Sequence, residues 1–109
     1  MLQLTTPYSV GDVDPNGPYT HVKILRFSAD LENQHIHFTA QMGTVSGDDF
    51  VKGIRSKKYT LRDFNIEGED YETIISKTTS AQGILIYDEV ARELYQWLIT
   101  KEHYIGTNV

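Results

Sequence analysis

The chain has 109 residues, of which 39% are hydrophobic and 23% are charged; these values are typical of a packed globular protein and exclude an intrinsically disordered one. Fifteen acidic and ten basic residues give a net charge of −5, which disfavours binding to nucleic-acid phosphates. The absence of cysteine excludes a disulfide framework, a thiolate zinc site and a cysteine nucleophile.

The first eighteen residues contain all three prolines of the chain, Pro7, Pro15 and Pro18. Proline fixes φ and has no backbone N–H, so this stretch disfavours both a helix and a central strand. We therefore predict an extended N-terminal arm over residues 1–18, followed by a single domain over residues 19–109. Such an arm is either loosely ordered or packed on its own domain or on a neighbouring subunit. It lacks the basic and apolar regions of a signal peptide, so none is expected.

Two strands joined as an antiparallel hairpin are predicted next. Residues 19–31 are rich in β-branched and aromatic residues and have apolar residues on both faces, as expected of a central strand. Residues 34–45 alternate with a period of two, which is typical of a half-buried strand. One face of this second strand carries Ile36, Phe38, Ala40 and Met42, and the other carries His35, His37, Thr39 and Gln41.

A short strand at Phe50 and Val51 and a further strand over residues 58–66 are predicted before two amphipathic helices, at about residues 69–78 and 86–101. The second helix has an apolar stripe, with Trp97 beside it, that consists of Tyr87, Val90, Ala91, Leu94, Tyr95 and Leu98. The expected fold class is α+β, in which a small antiparallel sheet of three to four strands is followed by the two helices.

Asp12, Asp14 and Asn16, followed by Gly17, match the opening of a calcium-binding loop. Alternating oxygen side chains around a sharp glycine turn can surround a hard cation. The twelfth loop position is Lys23 instead of a bidentate glutamate, and no helices are predicted on either side. A polar turn is the alternative interpretation, because Asp, Asn, Gly and Pro are the commonest turn residues.

His35 and His37 are candidate ligands of a transition-metal ion, because their spacing puts both imidazoles on one face of a strand. Two histidines are half of a site. His21 is a candidate third ligand, provided that the hairpin register places it opposite the pair; within a symmetric trimer the repeated pair would instead supply six nitrogens. The alternative is an exposed polar strand face that binds no metal.

The sequence contains no nucleophile elbow, zinc-protease helix, P-loop or dinucleotide fingerprint, so no catalytic residue is predicted. The basic run Lys52, Arg55, Lys57 and Lys58 is interpreted as a solvated loop and not as a nucleic-acid site. The aromatic stripe of the last helix is either a docking surface or part of the core. We predict that Leu94 and Leu98 point inward and that Trp97 lies at the margin.

Several segments together resemble small proteins encoded among the structural genes of tailed bacteriophages: His21–Lys23 with the hairpin that follows, Tyr59–Leu61, Gly68–Tyr71, Ile86–Glu89 and Tyr95–Ile99. The likeness spans about residues 20–106. It implies a non-enzymatic virion component, namely a capsid decoration protein, a head–tail joining protein or a tail accessory protein. It carries over no catalytic residue and no cofactor.

The resemblance implies self-association and contacts with other virion proteins, and localisation in the virion; a chain outside the family would be cytoplasmic. The expected interface residues are Pro7, Tyr8, Pro15, Pro18 and Trp97. No nucleic-acid partner and no membrane span are expected, since no apolar run approaches the length of a span. The alternatives are a metal-binding module that uses the His-x-His pair and a small enzyme of unknown type.

Overall fold

A computed structural model describes residues 1–8, 18–52, 61–102, 104 and 106–108. In this part of the chain a six-stranded sheet carries two helices on one face, so the predicted α+β class is confirmed. The elements in chain order are β1 (Leu2–Tyr8), β2 (Tyr19–Asp30), β3 (His35–Ser46), β4 (Asp49–Lys52), β5 (Leu61–Glu67), α1 (Gly68–Thr78), α2 (Tyr87–Lys101) and β6 (Gly106–Asn108).

The predicted hairpin of β2 and β3 forms the centre of the sheet, and every strand pairing is antiparallel. On one side β1 pairs with β2, and β6 pairs with β1. On the other side β3 pairs first with β5, along residues 35–41, and then with β4, along residues 43–46. The sheet exceeds the three to four strands predicted because β1 and β6 join it from the two ends of the chain.

Part of the predicted N-terminal arm is a strand of the sheet. Leu2 is fully buried in the core and pairs with Val22, and Leu4 packs against the same core. The register of β1 shifts between Gln3 and Tyr8, and Pro7 lies within this irregular stretch. Proline has no backbone N–H, and it is tolerated here because the regular pattern of hydrogen bonds between the strands is already broken. The sheet therefore begins before the boundary predicted at residue 18.

A β-bulge in β2 accounts for the apolar residues on both of its sequence faces. Ile24 pairs with Ala40 while Arg26 pairs with Thr39, so β2 has one residue more than β3 at this point. The extra residue, Leu25, reverses the alternation. As a result, the residues that face the helices on both sides of the bulge are Val22, Ile24, Phe27 and Ala29.

A buried tyrosine of α2 forms a hydrogen bond with the backbone at the bulge. The Tyr95 hydroxyl oxygen accepts a hydrogen bond from the Ile24 backbone N–H at 2.9 Å, and the Tyr95 side chain lies in the core. Burial raises the pKa of Tyr95 above its ordinary value, although the Ile24 hydrogen bond opposes this shift. The folded state therefore favours the neutral phenol.

We expect Tyr95→Phe to lower the free energy of unfolding by about 1–3 kcal/mol, because the partly buried Ile24 N–H loses its acceptor. Because the pKa of Tyr95 is higher in the folded state than in the unfolded state, its contribution to stability is complete below the unfolded pKa. That contribution is lost as the pH rises through the folded pKa. Urea unfolding should therefore show the wild type losing stability above about pH 10 more steeply than the variant. Tyr87→Phe, which removes an exposed hydroxyl, is the control; equal alkaline slopes for Tyr95→Phe and the wild type would contradict the prediction.

The core lies between the sheet and the two helices. Leu94 and Leu98 of α2 are fully buried, as predicted, and Tyr71 and Ile74 of α1 join the same cluster. Trp97 is partly exposed at the margin of the core, which was also predicted. Neither helix is long and apolar enough to cross a membrane, as judged over the described residues.

Candidate interaction surfaces

The face of the sheet opposite the helices carries the predicted histidine pair. His35 lies between Asp30 of β2 and Glu67 of β5, while His37 lies between Ser28 and Asn65. His37 is exposed and His35 is partly exposed. Because alternate residues of a strand share a face, both imidazoles project from the same side of β3.

His21 is not close to this pair. It pairs with Gly43 of β3 and Gln3 of β1, and its Nδ1 lies 2.8 Å from the hydroxyl oxygen of Thr20. Seven positions of β2 separate it from the residue opposite His37, which corresponds to about 20 Å along the strand. The condition under which His21 was predicted as a third ligand is therefore not met. No cluster of three or more His, Cys, Asp or Glu residues suited to a metal ion occurs in the described ranges.

The carboxylate beside His35 is already used by the hairpin turn. Asp30 accepts hydrogen bonds from the backbone N–H of Asn33 at 3.0 Å and from its side-chain amide at 2.8 Å. The backbone donor of Asn33, and then its side chain, hold the pKa of Asp30 below its ordinary value. One oxygen of Asp30 lies 3.8 Å from Nε2 of His35. Asp30 therefore closes the turn and faces His35 as an anion.

The middle of the helix-free face is less exposed than strict alternation predicts. Thr39 and Gln41 are 2% and 5% exposed. The Thr39 hydroxyl donates to the Asp63 carboxylate at 2.5 Å, and the ring of Phe50 lies over the place where Gly43 has no side chain. β3 is thus buried on both faces at its centre. A glycine inside a strand often marks such a close approach, and Gly43 was the available sequence signal.

A shallow groove of about 200 Å³ runs between α1 and α2. Its charged groups pair across it, because Lys101 lies 3.7 Å from Asp70 and Lys77 lies 3.9 Å from Glu93. The indole N–H of Trp97 also donates to Asp70, at 3.1 Å. These contacts join the two helices, so Trp97, which was predicted as an interface residue, has a structural partner within the chain.

An apolar surface lies at the N-terminal end of α2. Ile84, Ile86 and Tyr87 are 66%, 40% and 68% exposed, and the Tyr87 ring packs on Phe27 with a centroid distance of 4.7 Å. We call these four residues the apolar patch. Tyr87 belongs to the stripe predicted from the helical spacing, but it is the first residue of α2 and stays exposed, whereas Val90 one turn later is buried.

An ordered turn holds the patch in place. Thr79 and Leu85 form an isolated antiparallel bridge, the Ser80 N–H donates to the Ile84 carbonyl at 2.7 Å, and the Ile86 N–H donates to the Thr78 carbonyl at 2.9 Å. The residues between the helices, predicted to be a flexible link, are therefore tied to the end of α1. Because these hydrogen bonds order the turn, the exposed side chain of Ile84 is held in a defined position.

Several predicted positions lie outside the described residues, namely Asp12, Asp14, Pro15, Asn16, Arg55, Lys57 and Lys58. Of the other predicted interface residues, Pro7 and Tyr8 belong to β1, and Pro18 is exposed just before β2. Comparison of the chain with models of known protein families, with curated proteins and with solved structures found no significant match.

Proposed function

We propose that the chain is a non-enzymatic structural or assembly protein that acts through protein–protein contacts as a component of a tailed-phage particle. The observation that supports this proposal is the apolar patch of Phe27, Ile84, Ile86 and Tyr87. Contiguous exposed apolar residues are typical of interaction sites, and tyrosine is enriched among the residues that dominate binding energy.

The size of the patch suits a protein partner. Burying one large apolar side chain contributes about 1.5–3 kcal/mol, so burial of Ile84, Ile86 and Tyr87 together would contribute several kcal/mol before the cost of association. Because the turn at residues 79–85 is ordered, little further entropy is lost when a partner covers it. A rigid apolar patch is therefore well suited to a persistent contact in an assembly.

Among the described residues β5 pairs with β3 alone, and its other side is less suited to strand addition. It carries Arg62, Asp63 and Glu67, and charged side chains on an edge disfavour pairing with another strand. This favours the apolar patch over the β5 edge as the contact surface. The assignment to a phage particle rests on the resemblance of about residues 20–106 to phage structural proteins, and capsid decoration, head–tail joining and tail accessory roles all agree with it.

The test is to introduce Ile84→Ser with Tyr87→Ser into the genome that encodes the chain and to quantify the chain in purified particles by mass spectrometry. We expect at least a tenfold loss from the particles, because the variant removes most of the apolar contact area. Both positions are exposed, so the free energy of unfolding should fall by only about 1 kcal/mol, mainly through loss of the contact between Tyr87 and Phe27, and circular dichroism checks that the variant is folded.

Val51→Ser is the matched control, since Val51 is an exposed apolar residue on β4, a strand that β3 separates from the patch residue Phe27 on β2. We expect this variant to be incorporated at the wild-type level. Absence of the wild-type chain from particles, or full incorporation of the double variant, would refute the proposal.

A further inference from the structure

We propose that His35 and His37 bind a transition-metal ion such as Zn²⁺, which joins two copies of the chain, each copy supplying one histidine pair. This site is separate from the apolar patch and lies on the opposite, helix-free face of the sheet. It would make self-association dependent on metal.

The position of the pair in the sheet favours metal binding. His35 and His37 lie on β3, which is paired along this stretch with β2 on one side and β5 on the other, so their backbone positions are held on both sides. The residues beside His37 on those strands, Ser28 and Asn65, have short side chains. The exposed imidazole of His37 therefore projects beyond its neighbours, where a second molecule can approach it.

The number of available ligands indicates the stoichiometry. Zn²⁺ in proteins is almost always bound by four ligands in a tetrahedral arrangement, and imidazole is among its preferred ligands. Along the sheet, His21 is about 20 Å away. Within the described residues, no third His, Cys, Asp or Glu joins the pair in an arrangement suited to a metal ion. Each chain thus supplies two imidazoles, and the pair of a second copy completes the site at one ion for two chains.

The charge of the chain makes the ion necessary for this contact. Each copy has a net charge of −5, so two copies repel one another. Asp30 and Glu67 flank His35 on the two neighbouring strands and add negative charge close to the pair. A divalent cation held between the copies offsets this charge, and its removal restores the repulsion.

The experiment uses the 109-residue chain without an affinity tag, stripped of metal with EDTA, and follows its mass by sedimentation velocity as Zn²⁺ is added. We expect the mass to rise from 12.5 kDa to twice that value, with saturation at one Zn²⁺ for two chains, and to return on addition of EDTA. Co²⁺ in place of Zn²⁺ should give the visible absorption of a tetrahedral site.

His35→Ala and His37→Ala should each abolish the doubling, whereas His21→Ala, the matched control, should leave it unchanged. The inference is overturned if Zn²⁺ leaves the wild-type mass unchanged, if the doubling needs no metal, or if it survives in His37→Ala. Ile84→Ser with Tyr87→Ser should still dimerise with Zn²⁺. The experiment therefore tests the metal site independently of the proposed function.

Discussion

Phe38→Ala is expected to lower the free energy of unfolding by about 3–5 kcal/mol, which is the range for truncation of a buried aromatic residue. Phe38 is fully buried on β3, stacks on Phe64 of β5 with a centroid distance of 5.1 Å, and meets the edge of Trp97 of α2 at 5.8 Å. Its removal leaves a cavity where two strands and a helix meet. Few atoms there can move to fill it.

The loss is large relative to the total stability of a small domain, which is typically about 5–15 kcal/mol. Urea unfolding followed by fluorescence is well suited to the measurement, because Trp97 is the single tryptophan and contacts Phe38 directly. Phe27→Ala is the control: Phe27 is partly exposed and packs on Tyr87, so we expect a loss of about 1 kcal/mol. Equal losses for both variants would contradict the placement of Phe38 at the centre of the core.

Gly43→Ala is expected to lower the free energy of unfolding by about 1–3 kcal/mol, because the new methyl group overpacks the contact between β3 and β4. A Cβ at Gly43 would overlap the backbone carbonyl oxygen of Val51 and lie 2.8 Å from the ring of Phe50. A backbone carbonyl cannot rotate away as a flexible side chain can. The strand β4 must therefore shift or detach.

Hydrogen exchange measured by NMR distinguishes local detachment of β4 from a loss of global stability. In Gly43→Ala the amides of β4 should exchange faster than in the wild type, while those of β2 should change only with global stability. Ser28→Ala, an exposed strand position on the same face, should alter stability by less than about 0.5 kcal/mol. Unchanged exchange in β4 would show that the close approach at Gly43 does not exist.

The central hairpin and both helices were predictable because their signals are local. The alternation through Ile36 and Phe38 predicts a strand over residues 34–45, and the structure has β3 at His35–Ser46. The apolar spacing predicts the last helix over residues 86–101, and α2 is Tyr87–Lys101. In each case apolar residues recur at a fixed spacing several times within a single segment. The spacing indicates the type of element, and the number of repeats indicates its length.

The contributions of the chain ends were not predictable in the same way. β6 has three residues, too few to show a period, and it exists because Gly106–Asn108 pairs with Leu2–Leu4 at the opposite end of the sequence. The bulge at Leu25 likewise depends on α2, where Tyr95 binds the backbone of Ile24 seventy-one residues away. Long-range pairing of this kind leaves no local pattern.

The placement of the three candidate histidines, His21, His35 and His37, was partly predictable. Alternation places His35 and His37 on the polar face, and the structure agrees. The exclusion of His21 also follows from the hairpin turn: if Asp30 pairs with His35, antiparallel counting puts His21 near residue 44, and the bulge moves it to Gly43. The exposure of Tyr87 could not be read from the spacing, because it depends on where the helix begins relative to the edge of the core.

Photo-cross-linking within assembled particles tests the proposed contact most directly. A photoreactive amino acid replaces Tyr87 in the apolar patch or, as a control, the exposed Arg92 on the next turn of α2. If the patch contacts another particle protein, irradiation should yield a cross-linked product from position 87 and little or none from position 92. No product from position 87, or equal products from both positions, would contradict the proposal that the apolar patch holds the chain in the particle.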